Sequence, residues 1–290
     1  MTASLQKYIL GASAIVGIGA IAATPAAAAS LSNVQMFGGD YQTYTEDDVY
    51  RRDEQAAVNA LTDSDRYTNV ELNSANEYLS DNVTGFTGQL GSQSVTVEGI
   101  TDQDWNNGLR QQWLGDFKTA YKALDTSVVI DTLFGSFPLN FADTVAASLE
   151  NRSGDPNVAS MTKDNATGEI SLDLIGHYNI WDTPWMSNVY ANFGDTIEPL
   201  KEAVPTLQIS EIAKVTVDGE VSYAYSFSAE ETGVLAVDAA DNDTSSHTGR
   251  YTWTTQGTVE PSRAQVPEPS AILGLTALSG LLVFAKRKTA

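Results

Sequence analysis

All 37 acidic residues of this chain lie after position 39, and an uncharged apolar run with basic residues at its flank occupies each end. That division sets what can fold: the apolar ends suit a membrane or a processing enzyme, and the acidic middle must build its own core. The first run spans residues 8–23, behind Lys7, and stops at Pro25. A basic start, an apolar stretch and the small residues Ala27 and Ala29 define residues 1–29 as a secretory signal cleaved before Ser30. The alanines after Pro25 favour cleavage over an uncleaved anchor. The expected partners are the Sec translocon and signal peptidase.

The other end has three parts in order: Val266-Pro267-Glu268-Pro269, an uncharged 15-residue run over 271–285, and Lys286-Arg287-Lys288. A spanning helix needs about 20 residues, so this run makes a short transmembrane helix, with the basic cluster on the cytoplasmic side. The arrangement over residues 266–290 resembles the sorting signal of bacterial PEP-CTERM proteins. The resemblance implies recognition and cutting by an exosortase, transient inner-membrane anchoring, then release to the cell surface or extracellular matrix. Two stretches of the body, Leu31-Ser32-Asn33-Val34 and Tyr223-Ala224-Tyr225-Ser226-Phe227-Ser228-Ala229, are similar to cyanobacterial PEP-CTERM proteins. That likeness implies a location and no chemistry.

Between the ends lie a globular body, residues 30–256, and a stalk, 257–265, broken by Gly257, Pro261 and Ser262. Residues 30–266 hold 12 basic and 36 acidic side chains, a formal charge of −24. Such a surface repels nucleic acid and anionic membranes. The absence of cysteine excludes disulfides, thiolate metal sites and a cysteine nucleophile, so the body coheres by packing alone.

Thr101 and Asp104 form a capping pair ahead of Trp105, Leu109, Trp113, Phe117, Tyr121 and Leu124, an aromatic stripe at helical spacing. Further helices are expected over 138–150, with Phe141, Val145 and Leu149 on one face, and over 47–61. Strands are expected over 94–99, 169–175 and 249–255. Around Asp218-Gly219, a three-residue loop, Val217-Asp218-Gly219, pairing Val215 with Val221 would put the apolar residues of a hairpin on one face, with Glu211 the only charge among them. The resulting class is α+β, with helices mainly in the first half, antiparallel hairpins in the second, and signal and transmembrane helices at the ends.

No serine-hydrolase elbow, zinc-protease helix, phosphate loop or dinucleotide fingerprint occurs, and two histidines, His177 and His247, leave little room for imidazole chemistry. Thirty-six body carboxylates allow many acid pairs and single out none. Asp102, Asp104 and Asn106 imitate the start of a calcium loop, but Gly108 falls one place late and Trp113 stands where a glutamate is required. Asp238, Asp241 and Asp243 could supply oxygen ligands to calcium, the one cofactor considered, or form a polar turn. Trp181, Asp182 and Trp185 could stack on a sugar ring, or the indoles could cover the core. The chain therefore reads as an exported surface or matrix protein without catalytic activity, with exopolysaccharide as its expected partner. An extracellular polysaccharide-acting hydrolase is the alternative.

Overall fold

The computed structural model describes residues 28–259 apart from 64, 66, 75–78, 80, 81, 133, 134, 151, 185, 187–190, 192 and 238–242. The chain divides into the compact units Met1–Thr258 and Val259–Ala290, and the fold below is that of the first.

In chain order the first part holds β1 (Ala29–Phe37), β2 (Tyr41–Tyr44), β3 (Val49–Arg51), α1 (Glu54–Thr62), β4 (Asn69–Leu72), β5 (Gly85–Leu90) and β6 (Gln93–Gly99). Then come α2 (Asp102–Asp104), a wide turn over Trp105–Leu109, α3 (Arg110–Ala120), β7 (Ser127–Thr132), β8 (Gly135–Asn140) and α4 (Phe141–Leu149). The last part holds β9 (Asn157–Lys163), β10 (Glu169–Gly176), α5 (Ile197–Ala203), β11 (Ala213–Val217), β12 (Glu220–Ala224), β13 (Glu230–Glu231) and β14 (Gly249–Gln256).

Among the described residues, 12 strands form one sheet, ordered β12-β11-β6-β5-β1-β9-β10-β14-β13, with β2, β3 and β4 branching from β9; β7 and β8 pair apart. β1 joins the two halves of the sheet. Ala29 and Ser30 pair with Lys163 and Thr162, and the rest of the strand pairs with β5. A bulge at Asn33, φ 53°, lets one strand serve both neighbours.

The described residues bury two hydrophobic clusters. Alternate residues Val95, Val97, Ile170, Leu172, Leu174 and Val215 line one face of the sheet, which α1 covers with Ala57, Ala60 and Leu61. Asp53 starts α1 by accepting from the Ala56 amide at 3.0 Å. The second cluster is built on Trp105, Leu109, Trp113, Phe117 and Leu124 with Phe141, Val145 and Leu149 of α4. Thr101 and Asp104 cap each other's backbone ahead of α2, which matches the sequence expectation. The expected single helix is broken at Gly108, φ 118°, whose left-handed backbone widens the turn.

The α+β class holds, but helices are not concentrated in the first half: β1 to β6 precede all but one of the helices, and α4 and α5 come later. The early strands escape a pattern search because β2 buries all four of its residues, polar ones included, and β1 is bulged. The strands expected near 94–99, 169–175 and 249–255 are present as β6, β10 and β14. The helix expected from Pro138 starts at Phe141, because Pro138 lies in β8 and Asn140 supplies the cap, accepting from Asp143 at 3.1 Å. The helix expected over 47–61 yields its first part to β3.

The hairpin also corrects its expectation. Val217 pairs with Glu220 and Val215 with Ser222, so the loop has two residues, Asp218 (φ 49°) and Gly219 (φ 90°). Both positive φ angles fit the tight turn favoured by strand twist. The Asp218 carboxylate ties it to β6, accepting from the Ser94 amide and Gln93 Nε2, each at 2.9 Å. The apolar residues of the two arms therefore face opposite ways. This is stable because both faces are covered: Val215 meets the sheet core, while Tyr223, Tyr225 and Phe227 pack on the helix-side core.

No helix among the described residues is long and apolar enough to cross a membrane. The segments for which the sequence predicts signal and transmembrane helices lie outside the described residues, apart from the last two of the signal segment.

Candidate functional site

At one end of the sheet, distant segments meet around a cleft of about 180 Å³. β2 contributes Tyr44, β4 Glu71 and β9 Asn157; the end of β10 contributes His177, the segment before β11 Glu211, and the turn before β14 Asp243, Ser246 and His247. Tyr251 fastens the floor. Its hydroxyl donates to the His177 carbonyl and accepts from the Ile209 amide at 3.1 Å. Gly249 allows β14 to begin there, since a Cβ would lie 2.9 Å from the Tyr178 backbone.

The cleft holds the chain's two histidines in different settings. His177 places Nε2 3.3 Å from Asp243 Oδ2 and Nδ1 3.2 Å from Ser245 Oγ, while Ser245 donates to Asp243 Oδ1 at 2.7 Å. Burial lowers the His177 pKa, with Asp243 and then the Ser245 hydrogen bond opposing. His247 is 3% exposed, with Nδ1 3.0 Å from Ser246 Oγ and its ring edge-on to Tyr44 at 4.5 Å. Burial, then the nearby His177, push its pKa down to about 4.

The carboxylates are held in place. Tyr44 donates to Glu71 Oε2 at 2.7 Å, and burial followed by this neighbour raises the phenol pKa far above its usual value, keeping it a donor. Glu211 Oε2 accepts from the Asn157 backbone N–H at 3.0 Å. Two buried polar atoms on the wall have no hydrogen-bond partner among the described residues: Asn157 Oδ1 and His247 Nε2.

This arrangement suits holding a ligand better than moving protons. Ser245 gives its proton to Asp243, and His247 is a feeble base at neutral pH because its pKa lies far below the working range. Among the described residues no three His, Asp or Glu side chains are grouped to hold a metal.

The other sequence-derived candidates fall in several places. Trp181 is 3% exposed within the helix-side core; its Nε1 donates to the Val204 carbonyl at 2.6 Å and its ring lies 5.5 Å from Phe141. Asp182 is exposed and accepts from Asn179 Nδ2 at 2.9 Å. Trp185, Asp238 and Asp241 lie outside the described residues, whereas Asp243 lines the cleft. Asp104 caps its helix, accepts from Tyr223 at 2.8 Å and pairs with Lys214 at 3.3 Å. Ala29 and Ser30 lie in β1; Ala27 and the sorting residues Val266–Pro269 and Lys286–Lys288 lie outside the described residues. Tyr44, Glu71 and Asn157 have no sequence signal. Glu211 does: it is the one charge interrupting an apolar alternation, and it reaches the cleft.

No protein-family model, curated protein or solved structure matches the chain.

Proposed function

We propose that this is an exported cell-surface or extracellular-matrix protein, sorted through a PEP-CTERM tail, without catalytic activity and associated with exopolysaccharide. The observation that carries the reading is the order of the terminal signals: an export segment ending at Ala29, and Pro267-Glu268-Pro269, a short apolar run and Lys286-Arg287-Lys288 at the other end. The position of the body supports it. β1 begins at Ala29, so cleavage before Ser30 frees the sheet's bridging strand without shortening its pairing by more than one residue.

Mass spectrometry of the mature protein from cells that contain an exosortase tests this. The expected chain starts at Ser30 and lacks Lys286–Lys288, and Glu268→Ala makes the precursor accumulate in the inner membrane. A mature protein with its C-terminus intact overturns the sorting reading.

One observation favours a second reading, a polysaccharide-acting hydrolase: Glu71, Asp155, Glu211 and Asp243 line a single cleft. Release of reducing ends from host polysaccharide, abolished by Glu211→Gln, would establish it.

A further inference from the structure

Asn157 is 7% exposed and His247 3% exposed; both line the cleft, and each carries one buried polar atom with no hydrogen-bond partner among the described residues. Leaving such an atom buried and unpaired is costly, because its bond to water is lost and nothing replaces it. Two on residues lining one cleft point to a polar group from outside the fold that completes the bonding.

The character of that group follows from the lining. Glu71, Asp155, Glu211 and Asp243 surround the cleft against one cation, Arg152, so an anion is repelled. Burial lowers the pKa of both imidazoles and so disfavours positive charge on either. Among the described residues no three ligating side chains are grouped for a metal ion. The amide oxygen of Asn157 needs a donor, while the neutral His247 needs a donor or an acceptor according to its tautomer. A hydroxyl group is both. The volume of about 180 Å³ lies below the roughly 300 Å³ at which pockets for drug-sized ligands begin, so the cleft fits one small ring and not a chain.

We propose that this cleft binds one neutral polyhydroxylated ring, a sugar unit free or at the end of a polysaccharide, through Asn157 and His247. The inference rests on the exopolysaccharide reading only for the source of the sugar. It moves the sugar contact from the buried Trp181 to Asn157 and His247, in a cleft that Ile180 and Pro184, close to Trp181 in the chain, also line.

Both histidines line the cleft, so the two histidine ring signals in the NMR spectrum of the purified full-length chain report on it directly. Neutral methyl hexosides titrated at fixed pH are expected to shift both signals saturably. Glucuronate, the anionic counterpart, is expected to bind at least about tenfold more weakly. Asn157→Leu is expected to weaken hexoside binding by about tenfold or more, with His247→Gln as the second variant should the first fail to fold. The proposal is overturned if no neutral hexoside moves either signal at about 100 mM, where even a Kd of about 10 mM gives near-saturation. It is also overturned if glucuronate binds as well as the neutral hexosides, or if a folded variant binds unchanged. Retention on host exopolysaccharide is measured in parallel. Hexoside binding without retention overturns the exopolysaccharide association and leaves the cleft assignment standing. Retention without any hexoside response does the reverse.

Discussion

The helix-side core and the cleft both bury polar atoms with no hydrogen-bond partner among the described residues, and the two regions treat them differently. In the core these are the indole nitrogens of Trp105 and Trp113, sealed at 0% exposure among aromatic rings. Trp113 stacks on Phe117 at 5.0 Å and meets Phe227 edge-on at 5.3 Å. Each indole buries a large apolar body whose stabilisation outweighs one unpaired N–H. In the cleft, Asn157 and His247 bring no comparable apolar surface, and their orphan atoms border a space large enough for a ligand. An unpaired polar atom indicates function only where its side chain has no packing reason to be buried and where there is room beside it.

The comparison breaks most visibly if the core tryptophans prove dispensable. Trp113→Ala should destabilise the fold by roughly 3–5 kcal/mol in chemical denaturation, and Trp113→Phe by clearly less, since it keeps the packing and removes the orphan N–H. Trp181→Ala should behave as Trp113→Ala does. Loss of polysaccharide retention by a variant with unchanged stability would return Trp181 to a binding role.

The next effect comes from pH. His247 has a folded pKa of about 4 against an ordinary 6.5, so the unfolded chain takes up a proton first as pH falls. Its contribution is intact above pH 6.5 and is lost as pH drops through about 4, roughly 3 kcal/mol in all. The stability difference between the native chain and His247→Phe should therefore shrink over that window. A constant difference would show that His247 titrates normally and is not sealed.

Smaller effects test the hairpin that joins the two cores. Gly219→Val should cost about 1–2 kcal/mol, because a β-branched residue resists φ 90°. Val221→Ser should change stability by less than about 0.5 kcal/mol, since Val221 is 53% exposed. A large loss at Val221 would restore the three-residue loop and place both arms on one core.

The sequence was legible where one face of an element meets one environment. β6, β10 and the Trp105–Phe117 stripe each bury a single periodic set, and their positions follow from period 2 or 3.6. Legibility failed where both faces are covered. Tyr223, Tyr225 and Phe227 alternate cleanly, yet they serve the helix-side core while Val215 across the turn serves the sheet core. Period alone cannot say which core an alternation belongs to. The cleft was illegible for a different reason: Tyr44, Glu71, Asn157, His177, Glu211 and His247 come from six separated segments, and only the assembled sheet makes them neighbours.

Tyr251 carries one more consequence. Its hydroxyl joins the His177 carbonyl and the Ile209 amide from within β14, the last strand of the sheet in chain order. A chain emerging from a translocon N-terminus first would present β1 at once but could not pair it with Lys163 and Thr162 until more than half the body had followed. The cleft floor would wait longer still, for β14. Pairings across such separations make folding slow.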